Sequence, residues 1–353
     1  MSRTLLFAQV PGFYAAIERA EDPALSDRPV IVGGDPRKRG RVQAATLDAH
    51  AAGVELEMPM IEALQRCTRA RAIRTNMRHY REVSRRLLAT LRGVHERLEP
   101  FGLGAAYADL SDEPSAVAIA ARMRDVVAAE LGLPLRVGLA SAKFVARLAA
   151  EEAGESGVRH VASAEQASFL APLPATRLDG VGRKTAAALA ELGARTIEDV
   201  RALGRERIQD ALGPHGLRIH ALACGQDDER VRASRHPQSV SRESTLGGEP
   251  TDVTSLADLL AGLSSQLEAE LRRQGLVAGK VSLKLRYADQ AHATRTLTLP
   301  APTFRASELL ACATRLLERT QAGRPVRGLG LQLSALAPAA EGERQLDLFR
   351  PES

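Results

Sequence analysis

The chain has 353 residues, a formal net charge of +5, a sequence pI near 9.4, 44% hydrophobic and 26% charged residues, and 3% aromatic residues with no Trp. That is the balance of a soluble globular protein with room for two or three cores resting on Leu, Ala and Val. It excludes a membrane-spanning chain, because no apolar run reaches the ~20 residues that cross a bilayer, and its mild basicity suits a polyanion partner without requiring one.

In chain order, "TLLFAQV" reads as a strand leading into a helix at 12–20, and "SDRPVIVGG" as a turn and a second strand. The opening "MSRTLLFAQV" lacks a signal peptide's apolar core and cleavage site, so a cytoplasmic, nucleoid-associated protein is expected. "GDPRKRGRVQAAT" is a basic, Gly-containing loop running into a strand; Arg37, Lys38, Arg39 and Arg41 read as a solvated face. "MPMIEALQRC" and "HYREVSRRLLATLRGVHERL" carry apolar residues at helical spacing. "GAAYADLSD" is a strand, "PSAVAIAARMRDVVAAELG" a helix, "LPLRVGLAS" a strand and "AKFVARLAAEEAG" a helix. Strands alternating with long helices predict an α/β sheet domain ending near 165.

A helical region follows to about 232, and the polar, Pro- and Gly-containing "ASRHPQSVSRESTLGGEPTD" reads as a linker. A last α/β unit spans about 244–337, with helices in "SLADLLAGLSSQLEAELRRQG" and "ASELLACATRLLERT" and strands in "KVSLKLRYA", "ATRTLTL" and "VRGLGLQLSAL". The tail from 338 to 353 is polar and expected to be disordered. Cys67, Cys224 and Cys312 are too far apart for metal-ligand spacing and read as reduced thiols.

Three stretches point to chemistry. In "LDGVGRKTAAALAELGARTIEDV", Gly180 and Gly182 allow a tight turn into a helix whose first N–H groups face an anion, with Arg183 and Lys184 beside them. A DNA phosphate fits that arrangement, as in a helix-hairpin-helix, and such contacts carry no base sequence. In "KVSLKLRYADQAHATRT", strand alternation puts Lys280, Ser282, Lys284 and Arg286 on one face; Arg295 on the next strand is expected to extend this cationic stripe. In the tail, "QLDLF" offers Leu346, Leu348 and Phe349 no core to join, which suits a pocket on a partner.

The order of parts resembles the Y-family (DinB/UmuC-type) lesion-bypass DNA polymerases over nearly the whole chain. "FAQVPGFYAAIE", "SDRPVIVGG", "GVELEMPMIEAL", "FGLGAAYADLSD", "RVGLASAKFVARLAAEEA" and "SVSRESTL" look like that family's successive motifs, and "QLDLF" is similar to its sliding-clamp peptide. The resemblance implies a right-hand polymerase of mixed α/β (α+β multidomain) class. Its palm would be 1–20 and 78–165, its fingers 21–77, and its helix-hairpin-helix thumb 166–232. A linker at 233–243, a little finger at 244–337 and a tail at 338–353 with the clamp peptide Gln345, Leu346, Leu348 and Phe349 would complete it. DNA contacts are expected from Gly180, Gly182, Arg183, Lys184, Arg242, Lys280, Lys284, Arg286 and Arg295.

The family holds two magnesium ions on three carboxylates. Counted from Glu18, Tyr14 and Phe13, the first falls on Gln9, with Pro11 at the companion acid; counted from Tyr107 and Asp109, the adjacent pair falls on Gly104 and Ala105. Magnesium wants anionic oxygens, which these positions lack. Asp109 lies roughly 13 Å beyond Ala105 along a strand, too far to substitute. Leu47 and His50 stand at the family's triphosphate-gripping Tyr and Arg, Lys143 matches a lysine near the triphosphate, and Tyr14 matches the residue that excludes ribonucleotides.

The expectation is therefore a chain that is not an enzyme, with no cofactor and magnesium binding lost. It would be a pseudo-polymerase of the degenerate ImuB-like branch, an adaptor on DNA and the bacterial beta sliding clamp. An error-prone replicative-type polymerase and a mutasome accessory protein would be further partners. The alternatives are an active translesion polymerase with atypical metal ligands, and a DNA-binding module unrelated to the clamp.

Overall fold

The computed structural model describes residues 3–232, 238–246, 253–289, 291–320 and 323–339, which divide into two units, 1–234 and 235–353.

In the first unit, the apolar run Leu5–Gln9 forms β1 and is followed by α1 (Phe13–Glu21). A three-stranded sheet comes next, from β2 (Val30–Gly33), β3 (Val42–Ala45) and β4 (Arg71–Arg74) in the order β3-β2-β4, with α2 (Leu47–Ala51) and α3 (Met60–Arg66) between its strands. After α4 (Met77–Val94), the chain returns as β5 (Leu98–Phe101) and β6 (Ala105–Asp109). It continues through α5 (Ala116–Leu131), β7 (Arg136–Ala140), α6 (Lys143–Glu151) and β8 (Val158–His160). The five-stranded sheet has the order β5-β6-β1-β7-β8, with β1 central and only the β7–β8 pair parallel.

Alternation along β1 assigns its two faces. Leu6 and Ala8 join the core that also holds Val83, Leu87 and Leu91 of α4 and Met123 and Val127 of α5. Phe7 joins the core on the α6 side, with Tyr107, Phe144 and Leu148. Gly138 sets how closely α6 lies on the sheet. A Cβ there would stand 2.0 Å from the Ala146 carbonyl oxygen and 2.3 Å from the Ala150 nitrogen, so only glycine fits.

Beneath α6 sits a buried ion pair. Lys143 Nζ is 3.0 and 2.9 Å from the two Glu99 carboxylate oxygens, and the side chains are 6% and 3% exposed. The ammonium also lies 4.6 Å from the Tyr107 ring centroid and 3.4 Å from Glu229. The Arg232 N–H donates to Glu99 at 2.7 Å, and Arg3 donates to the Asp227 carbonyl at 2.6 Å. The segment 227–232 is thus tied to the five-stranded sheet.

The helical region contains α7 (Gln166–Leu170), α8 (Arg183–Glu191), α9 (Ile197–Leu203) and α10 (Arg205–Ala223). Thr196 and Asp199 close a capping box at α9, which fixes the helix start. Gly213 (φ 63°, ψ −151°) interrupts α10 just before Pro214.

The second unit pairs β9 (Ser239–Thr245), β10 (Leu276–Tyr287), β11 (His292–Thr303) and β12 (Val326–Pro338) antiparallel in the order β11-β10-β12-β9. Helices α11 (Val253–Gln274) and α12 (Ala306–Thr320) pack on one face, over Val281, Leu283, Leu285, Leu329, Leu331 and Leu333. Residues 239–243, expected as linker, are instead part of edge strand β9. Seven residues of polar alternation pair with β12 because Val240 can be buried. The three cysteines are free thiols, as expected.

Removing Glu99 strands a buried ammonium. Glu99→Ala is expected to lower unfolding free energy by about 3–5 kcal/mol in urea denaturation, the usual cost of breaking a buried pair from one side. Adding Lys143→Met should recover part of that loss.

Candidate nucleic-acid interface and palm cleft

Gln9, Ala105 and Arg136 form one row across three strands, with Gln9 in the middle, paired with Ala105 on one side and Arg136 on the other. The row extends to Phe101, which pairs with Ala105. All face a cleft of about 430 Å³, also lined by Pro11, Phe13, Tyr14, Leu47, His50, Leu56 and Gly104. Gln9, Gly104 and Ala105, the seats that the family resemblance assigns to metal carboxylates, therefore line one cleft.

What fills the seats is different chemistry. Arg136 Nη2 and Nε donate to Gln9 Oε1 at 2.5 and 3.0 Å. Burial lowers the Arg136 pKa, against the raising effect of the Glu151 carboxylate, and a guanidinium remains a cation even so. A Cβ on Gly104 would stand 2.6–2.8 Å from Phe13 side-chain atoms, so Phe13 occupies the space of a side chain at 104. Gln9 supplies one neutral oxygen already held by a cation, and Ala105 supplies none. The side chains at these three seats do not fit a pair of divalent ions.

Other expected residues have local partners. Lys143 is enclosed by Glu99 and Glu229 rather than pointing into the cleft. His50 Nδ1 lies 2.7 Å from the Val54 carbonyl oxygen, and Leu47 is 39% exposed on the cleft wall. Tyr14 stacks on Tyr80 with centroids 4.5 Å apart and planes at 9°, more than on Phe13 at 6.1 Å. Tyr80 donates to Glu18 at 2.6 Å, and burial followed by that carboxylate raises its pKa. Asp109 accepts from Ser111 at the far end of β6. Arg136 is the site residue that sequence reasoning missed. Its signal was a single cation alternating with Leu135, Val137 and Leu139 in an otherwise apolar strand.

The hairpin forms where the two glycines allow it. Gly180 has φ 90°, Gly182 caps α8, and Arg183 and Lys184 are exposed in its first turn. The first intrahelical bond is Ala186 N–H to the Gly182 carbonyl at 2.8 Å, so the N–H groups of Arg183, Lys184 and Thr185 precede it.

On β10, Lys280, Ser282, Lys284 and Arg286 share the face away from the helices. Gly330 and Gly328 lie opposite Lys284 and Arg286, leaving a groove of about 210 Å³. Arg286 Nη2 donates to Thr245 at 3.2 Å, while its Nε is buried without a hydrogen-bond partner. Glu243 shares the face and lies 3.4 Å from Lys284 Nζ, which the sequence did not signal. Two residues fall elsewhere. Arg295 pairs with Leu283 and Arg242 with Leu331, both on the helix-side face, and Arg242 bonds Glu270 of α11 at 3.2 Å. Neither extends the stripe, because each is one residue out of phase with it. Gln345, Leu346, Leu348 and Phe349 lie outside the described residues. Among those described, no helix is long and apolar enough to cross a membrane.

Comparison with known proteins resolves the family. Residues 9–151 match the impB/mucB/samB family and residues 237–348 its C-terminal domain. A DNA polymerase IV of Alkalilimnicola ehrlichii is 36% identical over 98% of this chain and 99% of that protein. One of Halorhodospira halophila is 35% identical over 98% of each. Among solved structures, a Y-family DNA polymerase chimera matches with TM-score 0.82 at 20% identity, covering 95% of this chain and 99% of that one. The insertion ternary complex of Dbh DNA polymerase gives 0.72 at 20% identity, over 95% and 99%. Two expectations are corrected by these relatives. That the chain is not an enzyme is overturned, because proteins named as polymerases match it from end to end. The expectation of no cofactor falls with it, since it rested on the chain not being an enzyme. Empty carboxylate seats are a local observation, and whole-chain similarity outweighs them for the class of protein. The matches establish the family and not the degenerate branch; the chain belongs to the Y-family (DinB/UmuC-type) DNA polymerases, the family of translesion synthesis.

Proposed function

We propose that this chain acts in translesion synthesis as a DNA polymerase IV-like enzyme that holds damaged primer–template DNA by its phosphates and docks on the bacterial beta sliding clamp through "QLDLF". The observation that carries this is the match to proteins named DNA polymerase IV over 98% of the chain. The reaction class is nucleotide addition to a primer.

The grip on DNA comes from two places, one in each unit. The Gly180–Gly182 hairpin turns the first N–H groups of α8, with Arg183 and Lys184, toward a phosphate. The outer face of β10 presents Lys280, Lys284 and Arg286 over a glycine-floored groove. The Arg286 guanidinium and the ammonium beside it suit a phosphate oxygen. Both are backbone contacts, so binding is sequence-tolerant and salt-sensitive.

Three measurements test this. Replacing Lys280, Lys284 and Arg286 with Ala should weaken duplex binding similarly on unrelated sequences. The slope of log affinity against log salt should fall by up to about 0.9 for each phosphate that is no longer neutralised; a sequence-selective loss contradicts the assignment. Deleting 345–349 should abolish association with the clamp, and unchanged association removes the clamp from the proposal. Primer extension, assayed with magnesium and with manganese, should be limited by the palm. Gln9→Asp with Ala105→Glu and Arg136→Ser, which restores two acids and removes the competing guanidinium, should raise the rate at least about tenfold, within the range of one well-placed electrostatic group. No extension with either metal overturns the reaction class.

A further inference from the structure

The hairpin before α8 is held from two sides by side chains that no phosphate contact needs. On the thumb side, His215 Nε2 lies 3.0 Å from the Gly180 carbonyl oxygen, which also accepts the Gly182 N–H at 3.2 Å. The break at Gly213–Pro214 in α10 brings His215 to that carbonyl, 35 positions away in sequence. A Cβ on Gly180 would come within 2.8 Å of the His215 ring, so glycine and histidine are fitted to each other. On the sheet side, Arg147 of α6 donates to Asp179 at 2.6 Å and to Glu151 at 3.0 Å. Burial opposes the Arg147 charge, but the Asp179 and Glu151 carboxylates outweigh it and raise the pKa, so the cation is secured.

We infer that His215 and Arg147 are positioning residues that hold the Asp179–Gly182 hairpin in its phosphate-facing form, an inference that rests on the phosphate grip proposed above. Gly180 and Gly182 give the turn freedom to reach its shape and equal freedom to leave it. An unbraced hairpin sacrifices conformational entropy each time it binds; one already fixed does not. His215 acts through the Gly180 carbonyl and Arg147 through the Asp179 carboxylate, so two neighbouring residues of the four-residue turn are each held by a different helix. The sheet that carries the palm cleft and the turn that grips DNA are thereby coupled through α6.

The test is fluorescence anisotropy of the full chain on a labelled primer–template duplex over a salt series, with amide exchange at Gly182. His215→Ala is expected to weaken binding about two- to tenfold, the effect of one net hydrogen bond, with an unchanged salt slope and faster exchange. His215→Gln, which keeps a donor at that reach, should restore affinity. Asp179→Asn, which leaves α10 untouched, should loosen the turn independently and give the same pattern. Arg183→Ala with Lys184→Ala should lower both affinity and slope. If that double variant changes nothing, the phosphate grip itself fails. If it weakens binding while His215→Ala and Asp179→Asn do not, the brace is wrong. A lower slope in His215→Ala would make His215 a direct phosphate contact and overturn the positioning role.

Discussion

The buried pair of Lys143 and Glu99 is the interaction on which the first unit depends. A lysine at the start of α6 is placed against the sheet because Gly138 lets the helix lie on β7. Taken from water, its ammonium must have a carboxylate, and Glu99 of β5 provides both oxygens. Glu99 in turn accepts from the backbone at Arg232, and Lys143 reaches Glu229. Strand, helix and the segment leaving the helical region meet at one neutralised charge. Such a pair contributes little over an apolar equivalent, but it is costly to half-remove, so it fixes one arrangement.

The same helix carries Arg147 one turn beyond Lys143, and the same sheet carries Arg136 in the cleft. Cations thus recur along this packing: one ties the hairpin, another holds Gln9. The palm cleft is apolar along Leu47, Leu56, Phe101 and Phe13 and cationic at its sheet floor. A guanidinium there changes what the cleft attracts, since it favours anionic oxygen directly.

Much of the fold was legible in the sequence. The long amphipathic helices and the alternating strands were found because period 3.6 and period 2 are set by local geometry. Strands β4, β5 and β9 and helix α2 were not, being four to seven residues with polar or mixed faces whose pairing is decided by distant strands. The site was legible in outline. Gln9, Gly104 and Ala105, which the family resemblance singled out, line one cleft, and the Gly180–Gly182 turn opens α8. Arg295 lies off the stripe it was expected to extend, because face membership across strands depends on register, which no single strand encodes.

By itself the sequence determined which residues alternate, where helices begin, and which three positions lack the family's acids, because these are properties of neighbours along the chain. Only the tertiary structure decided what surrounds them. It put Arg136 against Gln9, Phe13 over Gly104, Glu99 around Lys143 and His215 beneath Gly180, each from tens of positions or more than a hundred away. Charge pairing and close packing act through space, and their partners are fixed only when the strands have chosen their register.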